Sequence, residues 1–246
     1  MEDNFYLDTF LSLLRGVPLT LELAVLSIVV GMMLAVVLAT LQVYGASPLR
    51  GAVAFYVFLF RGTPLLAQLF LIYYGIAQFQ TVRESFLWVY LRDPFWCSVL
   101  AMTLNTAAYG CKIVQGGILS VPVGQIEAAR ACGMSPLKVM SRVVVPLAIR
   151  QALPAYGNEF ILMVKSTSLA SVVTLMEITG IAHKIISDTY RAIDVFICAG
   201  AIYLFLNFVI TRVVNWLERR LTPYRRPSKV SMSGPVSEVG VADEAH

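Results

Sequence analysis

Hydrophobic residues form five long runs separated by shorter polar segments, and this alternation predicts a protein made of membrane-spanning helices. Each run is close to the ~20 apolar residues that an α-helix needs to cross the hydrocarbon core of a bilayer. The runs cover residues 19–41, 52–77, 95–117, 155–175 and 195–216. The second run is interrupted by the sequence Arg61-Gly62-Thr63-Pro64, which is unsuited to a lipid-facing helix. We therefore predict an all-α fold with five transmembrane helices, the second of them broken.

The distribution of lysine and arginine predicts how these helices are oriented, because basic residues accumulate on the cytoplasmic side of a membrane. With the N-terminus outside, eleven basic residues lie in inner segments, five in outer segments and three within spans. This orientation gives an extracytoplasmic segment at 1–18, a transmembrane region at 19–220 and a cytoplasmic tail at 221–246. The tail is poor in large apolar groups and is predicted to be disordered. The outer segment 176–194 has apolar residues at helical spacing and is predicted to lie along the outer surface.

A polar stretch at 120–154 interrupts the apolar pattern in the middle of the chain. It is too charged to cross a bilayer, because it holds four basic residues and a single acid, Glu127. Helix-forming residues follow Glu127, and Gly133 is predicted to end this first helix. Ser135 and Pro136 are typical of the N-cap and first position of a second helix, which should break or kink near Pro146. These signals alone leave two interpretations open, a solvated connector and a docking surface.

The composition supports a membrane protein and excludes several classes of function. Of the 246 residues, 58% are hydrophobic and only 14% are charged, whereas soluble domains carry roughly a quarter charged residues. The net charge of +4 requires no nucleic-acid partner, because the basic residues lie where a membrane protein places them. The four cysteines have no metal-binding spacing, and two histidines, His183 and His246, make a metal site or a histidine-based catalytic site unexpected. Nucleotide-binding glycine motifs are absent, so we expect neither catalytic residues nor a cofactor in this chain.

Ionisable side chains inside the predicted spans are the candidates for a functional role. Each costs several kcal/mol in a membrane unless it is paired or hydrated. The fourth run contains a group of polar residues that could share one path: Asn158, Glu159, Lys165, Ser166, Thr167 and Ser168. Together they are typical of the lining of a water-filled path. The alternative is that Glu159 lies at the cytoplasmic end of its helix and that Lys165 pairs with another helix.

The break in the second run is the other candidate site. Its glycine and proline free backbone groups that protein or water must satisfy, which indicates that Arg61 and Thr63 face a cavity. A kink packed against a neighbouring helix is the alternative. Lys112 either lines a pore or extends towards the cytoplasmic face. Asn105 and Thr106 are expected to form hydrogen bonds between helices rather than to bind a ligand.

Two sets of motifs resemble a known family. Glu127-Ala128-Ala129, then Gly133, then Val143-x-Val145-Pro146 resemble the EAA loop of ABC importer permeases, with valine at both aliphatic positions of the family pattern. The sequences FRGTPL at 60–65, TLNTAAY at 103–109 and LPAYGNEF at 153–160 resemble the polar amino-acid subgroup of these permeases. The similarity is strongest to permeases for histidine, lysine, arginine and ornithine and for opines. It covers roughly residues 16–220.

The resemblance implies a role for each set of residues. In that family the EAA loop forms a coupling helix that sits in a groove of the ATPase subunit, which here assigns ATPase coupling to Glu127, Ala128, Ala129 and Gly133. Candidate residues of the translocation path and substrate site are Arg61, Thr63, Asn158, Glu159, Lys165, Ser166, Thr167 and Ser168. A basic substrate would pair with the acidic Glu159, whereas Arg61 or Lys165 would serve its carboxylate.

The resemblance also implies partners and a location. These are two ABC ATPase subunits that bind ATP and Mg, a periplasmic amino-acid-binding protein, the surrounding lipid, and a second permease chain. A related but different permease chain is favoured over a second copy. The chain would lie in the bacterial inner membrane and would not itself be an enzyme.

The expected function is therefore that of a permease subunit of a binding-protein-dependent ABC importer. It would move histidine, arginine, lysine or ornithine into the cytoplasm by ATP-driven alternating access. The alternatives within the superfamily are opines and other polar amino acids such as glutamine. An ion-coupled secondary carrier is less favoured, because such carriers often contain internal repeats and more spans. An intramembrane enzyme would need convergent catalytic groups that no span supplies.

Overall fold

The computed structural model of the protein describes residues 2–221, with the side chains of residues 5–220. Between these limits the chain forms helices joined by short turns, and no strand occurs. The all-α fold class is therefore confirmed for this part of the chain, while the predicted tail at 221–246 lies outside the described residues except for Leu221. The α-helices are α1 (Glu2–Leu14), α2 (Val17–Tyr44), α3 (Ser47–Gly62), α4 (Leu65–Phe70), α5 (Gln80–Arg83), α6 (Trp88–Leu91), α7 (Pro94–Leu119), α8 (Val123–Ala131), α9 (Pro136–Val139), α10 (Val145–Ser166), α11 (Ile178–Thr189) and α12 (Ala192–Leu221).

Among the described residues, a few long helices are the ones able to span a membrane. Two helical stretches, Phe5–Tyr44 and Ala192–Arg220, are long and apolar enough to cross a bilayer, and two bent pairs raise this to as many as four. α7 covers the third predicted run, but Asn105 and Lys112 lower its hydropathy. The stretch Phe5–Tyr44 contains 40 residues. At 1.5 Å per residue it is about 60 Å long, twice the hydrocarbon thickness of ~30 Å, so part of it must extend beyond the bilayer. The predicted N-terminal segment 1–18 therefore contains a helix, α1, that prolongs α2.

The second predicted run is broken, as the sequence indicates. The axes of α3 and of the helical segment that begins with α4 differ by 105°. Pro64 causes the break, because it lacks an N–H group and forces the preceding residue out of helical geometry. Thr63 is accordingly extended, with φ −116° and ψ 146°.

The helix that contains the fourth predicted run begins ten residues before the start of that run. α10 starts at Val145, with Pro146 in its first turn, where the missing N–H of proline costs nothing. The predicted irregularity is present just before it, as a π-helical segment at Met140–Val144. After α10 a 3₁₀ segment, Thr167–Val173, leads to α11, and the two parts of this bent pair differ in direction by 47°. α11 confirms the helical pattern predicted for the outer segment 176–194.

The main core is formed where α2, α7 and α10 pack together. It contains Leu23, Ala24 and Ile28 of α2, Val99 and Met102 of α7, and Met163 and Val164 of α10. Small residues let these helices approach closely, as is common in membrane bundles. Thr106 belongs to this packing and lies against Gly31, where a Cβ atom would be 2.9 Å from the Thr106 Cβ. The prediction of an interhelical hydrogen bond from Thr106 is wrong, because its hydroxyl has no partner among the described residues.

Gly110 of α7 marks the tightest contact among these three helices. A Cβ atom at Gly110 would meet the Tyr156 hydroxyl of α10 and would lie 2.8 Å from the Cβ of Ala35 in α2. Gly116 lies further along the same helix, and a Cβ atom there would have nothing within 4 Å. The two glycines therefore differ in surroundings but share one backbone conformation.

We expect the substitution Gly→Ala to act with opposite signs at these two positions. Gly110→Ala should lower the stability of the purified protein by about 1–3 kcal/mol, because α2 and α10 must separate to admit the methyl group. Gly116→Ala should leave stability unchanged or raise it by up to about 1 kcal/mol through the better helix propensity of alanine. Thermal unfolding in detergent measures both effects. An equal loss of stability in the two variants would contradict this assignment of the core.

Glu177 is a buried acid that the sequence analysis did not single out. It is fully enclosed and precedes α11, where its carboxylate accepts hydrogen bonds from the N–H groups of Thr179 and Gly180, both at 2.8 Å. The hydroxyl of Tyr203 in α12 donates a third hydrogen bond of 2.8 Å to the same carboxylate. Glu177 therefore caps α11 and fastens it to α12.

Candidate functional site

The break between α3 and α4 is stabilised by side chains that replace the missing backbone donors. In a continuous helix the Phe60 carbonyl would accept a hydrogen bond from residue 64, but Pro64 has no N–H group. The Gln68 side-chain amide donates to the Phe60 carbonyl at 2.8 Å instead. The Thr63 hydroxyl donates to the Leu59 carbonyl at 2.8 Å. Thr63 is thus a helix-terminating residue as well as a candidate path residue.

Asn105 of α7 links this break to the core of the protein. Its side-chain amide donates to the Gln68 side-chain oxygen at 3.0 Å and lies 3.4 Å from the Phe60 carbonyl. The prediction that Asn105 forms an interhelical hydrogen bond is confirmed. Gln68 was missed, although a lone amide a few residues after a proline break in an apolar run is the signal that could have found it.

Arg61 and Glu159 are distant in sequence but belong to one electrostatic site. Arg61 is exposed, and its guanidinium lies over the Tyr109 ring at 5.1 Å from the ring centroid. Glu159 on α10 is buried, and the positive charge of Arg61 acts on its carboxylate. They do not form a direct ion pair; among the described side chains the only one is Arg191–Asp194. Arg61 and Glu159 therefore carry opposite charges that are not paired with each other, and a ligand that carries both signs of charge could engage both.

The remaining path candidates follow Glu159 along α10 and into the 3₁₀ segment. Asn158 and Lys165 are exposed. The hydroxyl groups of Ser166, Thr167 and Ser168 donate to carbonyls three or four residues earlier on their own helix, at 3.0, 2.7 and 2.7 Å. What these hydroxyls offer to a ligand is therefore their acceptor oxygens. Thr167 is fully buried, so it lies behind the exposed surface that Asn158 and Lys165 present.

Lys112 lies on α7, beyond Tyr109. Its ammonium group donates a 2.9 Å hydrogen bond to the Gln115 side chain of the same helix. Lys112 is therefore hydrogen-bonded within its own helix and is not part of the site that contains Arg61 and Glu159.

The predicted coupling segment is a short helix with a well-defined end. The Gly133 N–H donates to the Arg130 carbonyl at 2.9 Å, and the Met134 N–H donates to the Ala129 carbonyl at 3.2 Å. This pair of bonds is a Schellman motif, in which the residue after the helix adopts a left-handed conformation. Gly133 has φ +76°, a value that glycine adopts without steric cost. Both predicted helix signals, Gly133 at the end of α8 and Pro136 at the start of α9, are confirmed.

One face of α8 is buried and the other is free. Ala129 lies in a small cluster with Val121, Val139 and Val144, which holds α8 against the start of the next helix. Glu127 and Ala128 are exposed on the opposite side. Two large apolar residues of the same segment are also exposed, Val123 by 67% and Leu137 by 83%. The segment is therefore folded on its own cluster and leaves a mixed apolar and charged surface open.

A comparison with known protein families identifies the chain. The family described as "Binding-protein-dependent transport system inner membrane component" matches residues 7–223. The chain belongs to this family. As a binding-protein-dependent transport component it is a multi-helix protein of the bacterial inner membrane, and the resemblance to amino-acid and opine ABC permeases is confirmed.

Individual relatives of this transport component are similar over nearly their whole length. The octopine transport system permease protein OccM of Rhizobium radiobacter is 55% identical over 96% of both chains. The nopaline transport system permease protein NocM of Agrobacterium fabrum is 50% identical over 92% of this chain and 94% of its own. The histidine/lysine/arginine/ornithine transport system permease protein HisM of Escherichia coli K12 is 40% identical over 87% of this chain and 90% of its own.

Solved structures agree with the helical architecture of this transport component. A crystal structure of an amino acid ABC transporter with histidines superposes with a TM-score of 0.77 at 33% identity, covering 89% of this chain and 97% of the other. An inward-facing structure of the MetNI methionine ABC transporter gives a TM-score of 0.70 at 22% identity, covering 86% of this chain and 96% of the other. The second similarity supports the fold alone.

Proposed function

We propose that the chain is the permease subunit of an ATP-driven importer for arginine-type opines and basic amino acids. The family match over residues 7–223 carries this proposal, together with the free surface of α8. In the proposed arrangement five helices cross the inner membrane, the N-terminus lies outside, and the coupling segment and C-terminus lie in the cytoplasm. The excess of basic residues in the inner segments supports this orientation.

The proposed mechanism is alternating access driven by a separate motor. Two ATPase subunits would bind ATP and Mg and would hold α8 through the exposed Glu127 and Ala128, whereas Ala129, on the buried face, would pass the movement to the cluster beneath α8. Because α8 is packed on the cluster that leads into α10, a displacement of α8 would be transmitted to the helix that carries Glu159. Closure of the ATPase pair would open the outer side to a periplasmic binding protein, and hydrolysis would reset the inward-facing state. A second, related permease chain would complete the path.

The substrate proposal follows from charge and from the relatives. Octopine and nopaline are derivatives of arginine that keep a guanidinium group and carry additional carboxylates. Glu159 would face the cationic end of such a substrate and Arg61 a carboxylate, with Asn158, Lys165 and the Ser166–Ser168 hydroxyls beside them. The identities of 50–55% to the octopine and nopaline permeases, against 40% to HisM, favour the opines. Histidine, arginine, lysine and ornithine are the second group.

Removing the buried charge is expected to impair transport of cationic substrates selectively. Glu159→Gln preserves the size of the side chain but abolishes its attraction for a guanidinium group. We expect uptake of radiolabelled octopine and arginine per inserted permease to fall about tenfold or more, which corresponds to a loss of ~1.4 kcal/mol. Glu84→Gln, at an exposed acid between α5 and α6, is the matched control and should transport normally. Normal uptake by Glu159→Gln would contradict the assigned role.

Gentle purification of the tagged chain tests the function as a whole. We expect an ABC ATPase and a second permease chain to copurify, and the ATPase rate of the complex to rise with binding protein loaded with octopine or arginine. An ion-coupled carrier would behave differently, since its uptake would survive ATP depletion and stop with an uncoupler. Purification of the chain without any ATPase would overturn the proposal.

A further inference from the structure

We propose that Gln68 and Asn105 are positioning residues that hold Arg61 in the translocation path. This inference rests on the proposed function, because it assumes that Arg61 faces the substrate. It adds Gln68 and Asn105 to the site, although neither residue is expected to contact the substrate itself. The two side chains are buried, with 7% and 8% of their surfaces exposed.

The first step of the argument is the orientation of the Gln68 amide. Its nitrogen donates to the Phe60 carbonyl at 2.8 Å, to the Thr63 carbonyl at 3.1 Å and to the Thr63 hydroxyl at 2.8 Å. The Thr63 hydroxyl uses its own proton on the Leu59 carbonyl, so it can only accept from Gln68. The Gln68 oxygen is thereby left to face α7. The amide is fixed in one orientation by partners that all accept.

The second step is the link to α7. Asn105 donates to the Gln68 oxygen at 3.0 Å, and the same amide nitrogen lies 3.4 Å from the Phe60 carbonyl. Both amides therefore converge on the Phe60 carbonyl, which Pro64 leaves without a backbone donor. Buried amides that lose such partners are costly, so the network has one preferred geometry.

The third step connects this network to Arg61. Arg61 follows Phe60 directly, and its guanidinium lies over the ring of Tyr109. Tyr109 is four residues after Asn105 on α7, so the two side chains share one face of that helix. One strip of α7 thus holds the end of α3 through Asn105 and the charged group of Arg61 through Tyr109. If the amide network is lost, the end of α3 is free to turn and Arg61 leaves its place over the Tyr109 ring.

The test measures turnover and epistasis in the complete transport complex. Asn105→Ala is expected to lower the maximal uptake rate of radiolabelled octopine per assembled complex about tenfold, as Arg61→Ala should. The concentration of loaded binding protein that gives half-maximal uptake should not change, because docking occurs on the outer surface. In the double variant Arg61→Ala/Asn105→Ala, the loss should be no larger than in Arg61→Ala alone, since Asn105 acts through Arg61.

Tyr56→Phe is the matched control. It removes the other side-chain hydrogen bond between α3 and α7, from the Tyr56 hydroxyl to the Leu104 carbonyl at 2.6 Å. We expect it to lower the thermal midpoint without lowering turnover. Asn105→Leu keeps nearly the size of the side chain but can neither donate nor accept, so it serves if the alanine variant is not inserted, and it should show the same turnover defect.

The outcomes separate the two proposals. Unchanged turnover in Arg61→Ala would overturn the placement of Arg61 in the path, and with it the premise. A turnover defect in Arg61→Ala, combined with normal turnover in Asn105→Leu, would overturn the positioning role alone. A defect of the double variant equal to the product of the two single defects would also overturn it.

Discussion

Uptake is expected to be abolished in Gly133→Asp, while the protein remains inserted in the membrane. Gly133 has φ +76° at the end of α8, and no atom lies within 4 Å of the position of a Cβ atom. The substitution therefore introduces no collision. Its local cost is the ~1–2 kcal/mol of a left-handed conformation, which is small beside the ~5–15 kcal/mol that stabilises a typical domain.

The functional effect of this substitution should be much larger than its effect on stability. Aspartate adds a negative charge at the C-terminal end of a helix, where the helix dipole disfavours it. It also places that charge on the exposed surface that is proposed to dock on the ATPase. We expect a loss of uptake of about a hundredfold or more, corresponding to ~2.7 kcal/mol of coupling, with normal amounts of inserted protein. Glu127→Lys, which reverses the exposed acid of the same surface, should act in the same direction.

Two control variants separate conformation from charge. Gly133→Asn keeps a residue that tolerates a left-handed conformation and adds no charge, so it should retain much of the uptake. Gly51→Asp adds the same charge at another glycine with open space around it, outside the coupling segment, and should transport normally. Normal uptake by a stably inserted Gly133→Asp protein would count against a coupling role for this surface.

The coarse fold of this protein is predictable because short stretches of sequence determine where its helices lie, break and end. The apolar runs mark the helices, Pro64 marks the break and Gly133 marks the end of α8, each through a property of the residue itself. The long helices α2, α7 and α12 accordingly cover the first, third and fifth predicted runs. The start of α10 was missed because Pro146 is compatible with both the interruption and the first turn of a helix.

The site was only partly predictable because its central contacts are tertiary. Arg61 and Glu159 were each identified as ionisable residues within spans, but only the packing of α3, α7 and α10 brings them together. The position of Gln68 after Pro64 is a local signal, but only the fold shows that its amide replaces the hydrogen bond that Pro64 cannot make. Asn105 and Thr106 are adjacent polar residues, yet Thr106 packs against Gly31 whereas Asn105 forms a hydrogen bond with the side-chain amide of Gln68. Their different roles follow from the 100° between successive side chains on a helix.

Glu177 shows the same limit where α11 packs against α12. Its sequence context is an acid at the start of a helical pattern, which is typical of an exposed N-cap. Only the packing of α11 against α12 encloses it and adds the Tyr203 hydroxyl to its two backbone donors. The carboxylate thereby changes from a common capping group into the centre of a buried network.

The second large effect is therefore expected for Glu177→Ala, in stability rather than in coupling. Alanine leaves the N–H groups of Thr179 and Gly180 without their acceptor, and it leaves the Tyr203 hydroxyl with the Thr179 hydroxyl, 3.1 Å away, in place of the carboxylate. Each buried donor that loses its partner costs about 1–3 kcal/mol, so the summed loss is a large part of the stability of a typical domain. We expect little inserted protein at 37 °C and a clearly lowered thermal midpoint at reduced temperature, measured on purified protein by fluorescence-detected size exclusion after heating.

Graded variants distinguish this network from a general sensitivity of the outer surface. Tyr203→Phe removes one hydrogen bond to a charged acceptor and should cost about 1.5–3 kcal/mol, less than the loss of the carboxylate. Glu177→Gln keeps one acceptor oxygen and should be intermediate. Asp188→Ala removes an exposed acid from the same helix and should leave the thermal midpoint unchanged. If Glu177→Ala were as stable as Asp188→Ala, the carboxylate would not fasten α11 to α12, and the outer end of the bundle would be held by its apolar contacts alone.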